Sequence, residues 1–232
     1  MTCKLGKNLC RSTKWFLGLA LLLFFGTHAF ANNEPILVEV FSSCFCEPCE
    51  QLNQPLLEWQ RSHQDALVVS FHLWQDALEV PGGEERSDFY ALSSLPGFVV
   101  QGNQKWVGSI SHFPATLESA LGVEKNRFRP DYGMQASVEF SSTQARFDVS
   151  LSKQYSRGQI VGLAVQKSVF VEGTRYSNVV REIQVIPWKN QPAQVVFSAR
   201  KEWTGNNVLF AVLFQDTRSG KVYHLQVFEP DW

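Results

Sequence analysis

Three cysteines fall within six residues, Cys44-Phe45-Cys46-Glu47-Pro48-Cys49. They separate an apolar run (Ile36, Leu37, Val38, Val40, Phe41) from a stretch of helical periodicity through Gln51 to Arg61. A Cys-x-x-Cys pair at a strand-to-helix junction restricts the fold, because the strand must end and the helix begin where the thiols are held. It also points to chemistry. A helix N-terminus presents unpaired N–H groups and the positive end of the macrodipole, which favours a thiolate at Cys46 over the thiol. Pro48, with φ already fixed, suits the first helical turn. Glu47 and Glu50 act in the opposite sense by placing negative charge near the sulfur.

The first thirty-one residues read as an export signal. Lys4, Lys7, Arg11 and Lys14 form a basic head, Trp15 to Phe25 an apolar core, and Ala29-Phe30-Ala31 a small-x-small cleavage site. The apolar core is about a dozen residues, short of the ~20 that span a bilayer. The expected product is periplasmic or secreted, with no stable membrane anchor after cleavage. Removing these residues discards four basic groups and no acidic ones, taking the formal charge from −1 to −5. A mildly acidic chain without a basic block lacks the electrostatic footprint for nucleic acid. Cleavage also removes Cys3 and Cys10, so the remaining thiols lie together and form a site rather than a scaffold.

Two regions are expected in the mature chain. Residues 32–126 alternate strand-like and helical runs: Ile36 to Phe41, the helix to Arg61, Ala66 to Leu73, a polar Gly-rich stretch, Phe98 to Val100, Lys105 to Val107, and a helix from Pro114 to Leu121. That is an α/β order. Lys125 to Gly133 carries charge, Pro and Gly and reads as a linker. Residues 127–232 then show about seven strand patterns separated by turn residues, as in an antiparallel β-sandwich.

Val38-Glu39-Val40-Phe41-Ser42-Ser43 followed by Cys46-Glu47-Pro48-Cys49 resembles the signature of the DUF1223 family, secreted bacterial proteins of thioredoxin-like fold. Ser70-Phe71-His72-Leu73-Trp74-Gln75-Asp76, Leu95-Pro96-Gly97-Phe98-Val99-Val100 and Ser177-Asn178-Val179-Val180-Arg181 resemble further stretches of that family in the same order. Three positions depart from its pattern: Cys44 replaces a Gln, Leu95 a Thr before the proline, and Pro48 lies inside the cysteine pair. The resemblance implies a thioredoxin-like domain at 32–126. There Cys46 is an exposed nucleophile, Cys49 a deeper resolving thiol, and Pro96 a cis-proline facing the dithiol.

The residues themselves leave Cys44 open. A Cys44–Cys46 disulfide would be strained, whereas Cys46–Cys49 is the unstrained pair; Cys44 would then be a second resolving thiol, a cap or idle. His72 is placed by topology. If Ala66 to Phe71 runs parallel to Ile36 to Phe41, both C-terminal ends meet at one sheet edge beside the thiols. There His72 would move a proton or bind a metal, Trp74 would shield the site, and Asp76 would cap or orient. Arg175, Asn178 and Arg181 read as contacts between the two halves.

The leading function is an exported thiol/disulfide oxidoreductase acting through Cys46 and Cys49 on protein thiols or a redox partner protein. One alternative is a copper or other soft-metal protein using Cys44, Cys46, Cys49 and His72. Three thiolates and an imidazole are also a zinc set, although the spacing lacks two separated pairs. Another is a non-enzymatic binding module braced by the disulfide. No phosphate loop, His-Glu-x-x-His or Gly-x-Ser-x-Gly occurs, and neither flavin nor nicotinamide is implied.

Overall fold

The computed structural model describes residues 34–108, 112–201, 203 and 205–230; the expected export signal at 1–31 lies outside them. The chain opens with β1 (Ile36–Ser42), α1 (Glu47–Ser62) and β2 (Ala66–His72). β-branched and aromatic residues fill both strands, and their register runs parallel from Ile36↔Ala66 to Ser42↔His72. In α1, Cys49, Leu52, Leu56 and Trp59 repeat at helical spacing and form its buried stripe. Next come α2 (Gly83–Phe89), β3 (Gly97–Val100), β4 (Gln104–Val107) and α3 (Phe113–Lys125). The polar Gly-rich stretch therefore contains a short helix that periodicity did not reveal.

The second half supplies β5 (Met134–Phe140), β6 (Gln144–Leu151), β7 (Gly158–Val171), β8 (Thr174–Pro187), β9 (Ala193–Ser198), β10 (Val208–Asp216) and β11 (Val222–Phe228). β7 and β8 form a long hairpin closed by Glu172 and Gly173, at φ 49° and 85°. Two successive left-handed residues match the right-handed twist of the strands they join.

These strands do not form a separate domain, as the sequence suggested. The larger sheet has eight strands in the order β11-β10-β7-β8-β2-β1-β3-β4, and β8 joins β2 in parallel at Ser70↔Val179. Asn178, itself at φ 51°, donates from Nδ2 to the Val68 carbonyl at 2.9 Å and pins the junction. Asn32–Trp232 pack as one compact unit. The sandwich expectation holds in part: β5-β6-β9 form a small antiparallel sheet that packs on the larger one through Phe147, Phe197 and Val195 against Phe210, Val212 and Ile160. The fold is mixed α/β, with one large sheet and few helices.

The large sheet curls on itself. Val222, opening β11, donates its N–H to the Gln101 carbonyl beyond β3 at 3.0 Å, and the Gln101 amide returns a bond to the Val222 carbonyl at 3.1 Å. Leu37, Phe41, Val69, Phe71, Val161, Leu163, Val180, Leu213 and Leu225 fill the concave side. Alternate residues Ile36, Val38 and Val40 face outward onto α1 and α3, where Leu52, Leu56, Phe113 and Leu117 cover them.

Glu39 belongs to the concave set and is fully buried. Arg86 of α2 answers it with Nε to Oε1 at 2.8 Å and Nη2 to Oε2 at 3.2 Å. The same guanidinium donates to Gln215 Oε1 of β10 at 2.6 Å and to the Tyr90 hydroxyl at 2.8 Å, while Tyr90 donates to Glu39 at 2.5 Å. One cation thus ties β1 to β10 across the curl. Replacing Arg86 by Met leaves a buried carboxylate without its cation, and urea unfolding should show a loss of about 3–5 kcal/mol. The double variant Glu39→Leu/Arg86→Met, which removes both charges, should recover much of that loss.

Candidate functional site

The loop between β1 and α1 leaves the sheet at the edge where β2 also ends, so residues 43–49 and His72 meet by topology. Cys46 is the N-cap of α1 and is disulfide-bonded to Cys49, with Cα atoms 5.1 Å apart. Its Sγ accepts the Cys49 N–H at 3.2 Å, and its carbonyl accepts the Glu50 N–H at 3.1 Å. The resemblance implied an exposed first cysteine. In the structure Cys46 is 6% exposed and Cys49 1%, because the Cys46 sulfur turns inward to cap the helix. Glu47 and Glu50 lie exposed in the first turn. Phe45 and Trp74 stand out at 72% and 48% exposure as an aromatic rim on the two loops that leave this edge.

Pro96 follows a cis Leu95–Pro96 peptide bond and is buried. Phe41↔Gly97 is the last pair of the antiparallel β1–β3 ladder, so Pro96 lies level with the end of β1, next to where the thiol loop departs. Its carbonyl accepts the Gly108 N–H at 2.8 Å.

Among the described residues Cys44 is the free thiol, half-buried, and stands outside the disulfide. Its Sγ lies 3.8 Å from His72 Nδ1, and that nitrogen is 2.8 Å from Asp76 Oδ2. Asp76 is held from both sides: the Cys44 N–H donates to Oδ2 at 2.6 Å and the Leu78 N–H to Oδ1 at 2.7 Å. The loop makes this closure by placing Trp74 and Gln75 at φ 66° and 55°, a left-handed path that costs such residues about 1–3 kcal/mol each. The His72 ring meets Tyr176 of β8 edge-on at 5.1 Å. Tyr176 is the member that sequence reasoning missed; its only signal was its place two residues before Asn178, where β8 joins β2.

Electrostatics separate these groups. Burial pushes the Cys44 thiol up, the Tyr176 hydroxyl pulls it partly back, and the neighbouring Asp76 carboxylate pushes it up again. Tyr176 is raised by burial and by Cys44. Burial would raise Asp76 too, but His72 and the Cys44 and Leu78 N–H groups together outweigh it and lower its pKa to about 2. Cys44 is therefore a thiol rather than an activated thiolate. Both the thiol and the carboxylate address the same imidazole nitrogen, so the three groups do not form a relay with a base at one nitrogen and an orienting acid at the other.

Arg175 Nε donates to Ser168 Oγ at 3.0 Å, a bond that stays within the β7–β8 hairpin, while Arg181 reaches the Leu78 carbonyl at 3.5 Å. Arg181 and Asn178 are thus the members of the expected trio that join the two halves of the chain. Among the described residues no helix is long and apolar enough to cross a membrane.

No family profile matches this chain, and no curated protein does. A crystal structure of a protein from Agrobacterium tumefaciens is similar over 85% of this chain and 96% of its own, with a TM-score of 0.56 and 18% identity. At that identity the likeness is one of fold. Two β-glucosidases also align, from Kluyveromyces marxianus and Thermotoga neapolitana. Each has a TM-score of 0.24, and the aligned part spans only 14% and 15% of their chains.

The lowered Asp76 pKa carries a pH dependence. A carboxylate depressed in the folded state adds stability above its unfolded value near 3.9, and that stability is lost as pH falls toward about 2. At about 1.4 kcal/mol per unit, Asp76 contributes on the order of 2–3 kcal/mol at neutral pH. Urea unfolding of wild type and Asp76→Asn should differ by roughly that amount at pH 6 and converge near pH 2.

Proposed function

We propose that this chain is an exported thiol/disulfide oxidoreductase working through Cys46 and Cys49. The observation that carries the reading is the disulfide at the N-cap of α1, with the Cys49 N–H aimed at the Cys46 sulfur at 3.2 Å. That N–H would stabilise negative charge on Cys46 once the bond opens, and the helix N-terminus would add to it. Support also comes from topology. A β1-α1-β2 unit is followed by the antiparallel pair β3-β4 and by α3, in sheet order β2-β1-β3-β4, with Pro96 at the entry to β3. That order supports reading residues 32–126 as a thioredoxin-like domain whose sheet is extended by strands from the C-terminal half.

In the oxidising direction, a substrate thiolate attacks Cys46 Sγ and Cys49 leaves as the thiolate, giving a mixed disulfide between substrate and Cys46. A second substrate thiolate then displaces Cys46, so the substrate gains a disulfide and the protein takes up two electrons. In the reducing direction, Cys46 attacks a substrate disulfide and Cys49 resolves the intermediate. Cys49 is the more deeply buried of the two and is suited to that second role. Phe45 and Trp74 would offer apolar surface to a protein substrate. The soft-metal set of Cys44, Cys46, Cys49 and His72 would require the disulfide to be reduced first.

A trapping experiment tests the assignment. After incubation with reduced, partly unfolded secreted protein and mild oxidant, Cys49→Ala should accumulate mixed disulfides through Cys46, visible on non-reducing gels and by mass. Cys46→Ala should accumulate few. Equal trapping by the two variants, or none by either, would contradict it.

A further inference from the structure

The structure assigns a metal site to Cys44, His72 and Asp76, separate from the disulfide and suited to a zinc-like divalent ion. The Sγ, imidazole nitrogen and carboxylate oxygen of these residues lie within 4.8 Å of one another. One thiolate, one imidazole and one carboxylate suit Zn²⁺, which takes S, N and O ligands at about 2.0–2.3 Å in a tetrahedral site. Such an ion spaces its ligand atoms about 3.4–3.6 Å apart. The Cys44–His72 separation of 3.8 Å is already close to that, and the His72–Asp76 separation of 2.8 Å opens by roughly half an ångström when the hydrogen bond is replaced by the ion.

The ligands are also held in place from outside. Leu78 N–H fixes the second Asp76 oxygen, Cys44 N–H fixes the first, and Tyr176 buttresses the edge of the His72 ring. Bonds of this kind orient metal ligands and tune their affinity. Cys46 and Cys49 are committed to each other, so the donor set does not draw on them. Three protein ligands leave a fourth position open toward the half-exposed Cys44 side, for water or an incoming ligand. Binding is balanced by protons: Cys44 gives up its S–H proton, and His72 carries its remaining proton on Nε2 so that Nδ1 can ligate.

The test uses the full mature protein with its disulfide intact, so that only Cys44 can supply a thiolate. Titration with Co²⁺ should give one ion per chain and a thiolate-to-cobalt charge-transfer band, with Zn²⁺ displacing it. The band should disappear in Cys44→Ser, and Asp76→Asn should bind at least tenfold more weakly. Cys46→Ser/Cys49→Ser should retain the band. In unmutated protein, which avoids any question of folding, saturating Zn²⁺ should slow alkylation of Cys44 by at least tenfold and a chelator should restore the rate. No charge-transfer band in the oxidised protein, a band that survives Cys44→Ser, or an alkylation rate indifferent to Zn²⁺ would each overturn the assignment.

Discussion

Glu39 places a carboxylate on a central strand where water cannot reach it, and the fold is arranged around answering that charge. Such a group is tolerated only with a cation and hydrogen bonds in place. Arg86 supplies the cation from a helix of about two turns, and Tyr90 and Gln215 complete the set. Because Gln215 belongs to β10 and bonds both Arg86 and Tyr90, the network around Glu39 extends to the far strands of the sheet where they come around toward β1. The Gln215 amide extends the network to Gly220, in the turn between β10 and β11, at 2.6 Å. Gly102 and Gly220 meet backbone to backbone there; a Cβ on Gly102, at φ 66°, would lie 1.8 Å from the Gly220 oxygen. Polar satisfaction and close approach together specify the curl.

The parallel pairing of β1 and β2 leaves their C-terminal ends at one edge, and a disulfide and a free thiol both occupy it. The disulfide belongs to α1, whose first turn supplies the N–H that faces Cys46. Cys44 belongs to the loop before it and turns toward β2 and β8, where His72, Asp76 and Tyr176 lie. Only Phe45 separates Cys44 from Cys46 in the chain, and opposite partners keep their environments distinct. β8 matters to Cys44 above all, because its single parallel bridge to β2 brings Tyr176 beside His72.

The strands and the cysteine pair were legible because they rest on local patterns. β1, β2 and β3 are apolar β-branched runs, and the parallel register that brings His72 level with Ser42 follows from a βαβ unit. The periodic stretches Gln51 to Arg61 and Pro114 to Leu121 lie within α1 and α3 but stop a few residues short of their ends, where capping rather than periodicity sets the limit. The joining of the two halves was not legible. It depends on the Ser70↔Val179 pairing and on Asn178 at positive φ, and neither has a local signature. α2 was missed because a seven-residue helix that buries an arginine has no apolar stripe. Glu39 stands alone within an otherwise apolar strand, and nothing in the sequence named Arg86 as its partner. The closure of Asp76 onto His72 was hidden for a similar reason: Trp74 and Gln75 adopt left-handed conformations that their residue types do not favour.

The proposal that Cys46 and Cys49 are a working redox couple rather than a brace is tested most directly by the midpoint potential of the mature protein equilibrated in glutathione buffers, with intact mass counting free thiols in wild type and Cys44→Ser. A reversible two-electron couple between about −120 and −270 mV, shared by both proteins, is the predicted result. A bond that resists reduction below about −300 mV would contradict a redox role and make the disulfide structural.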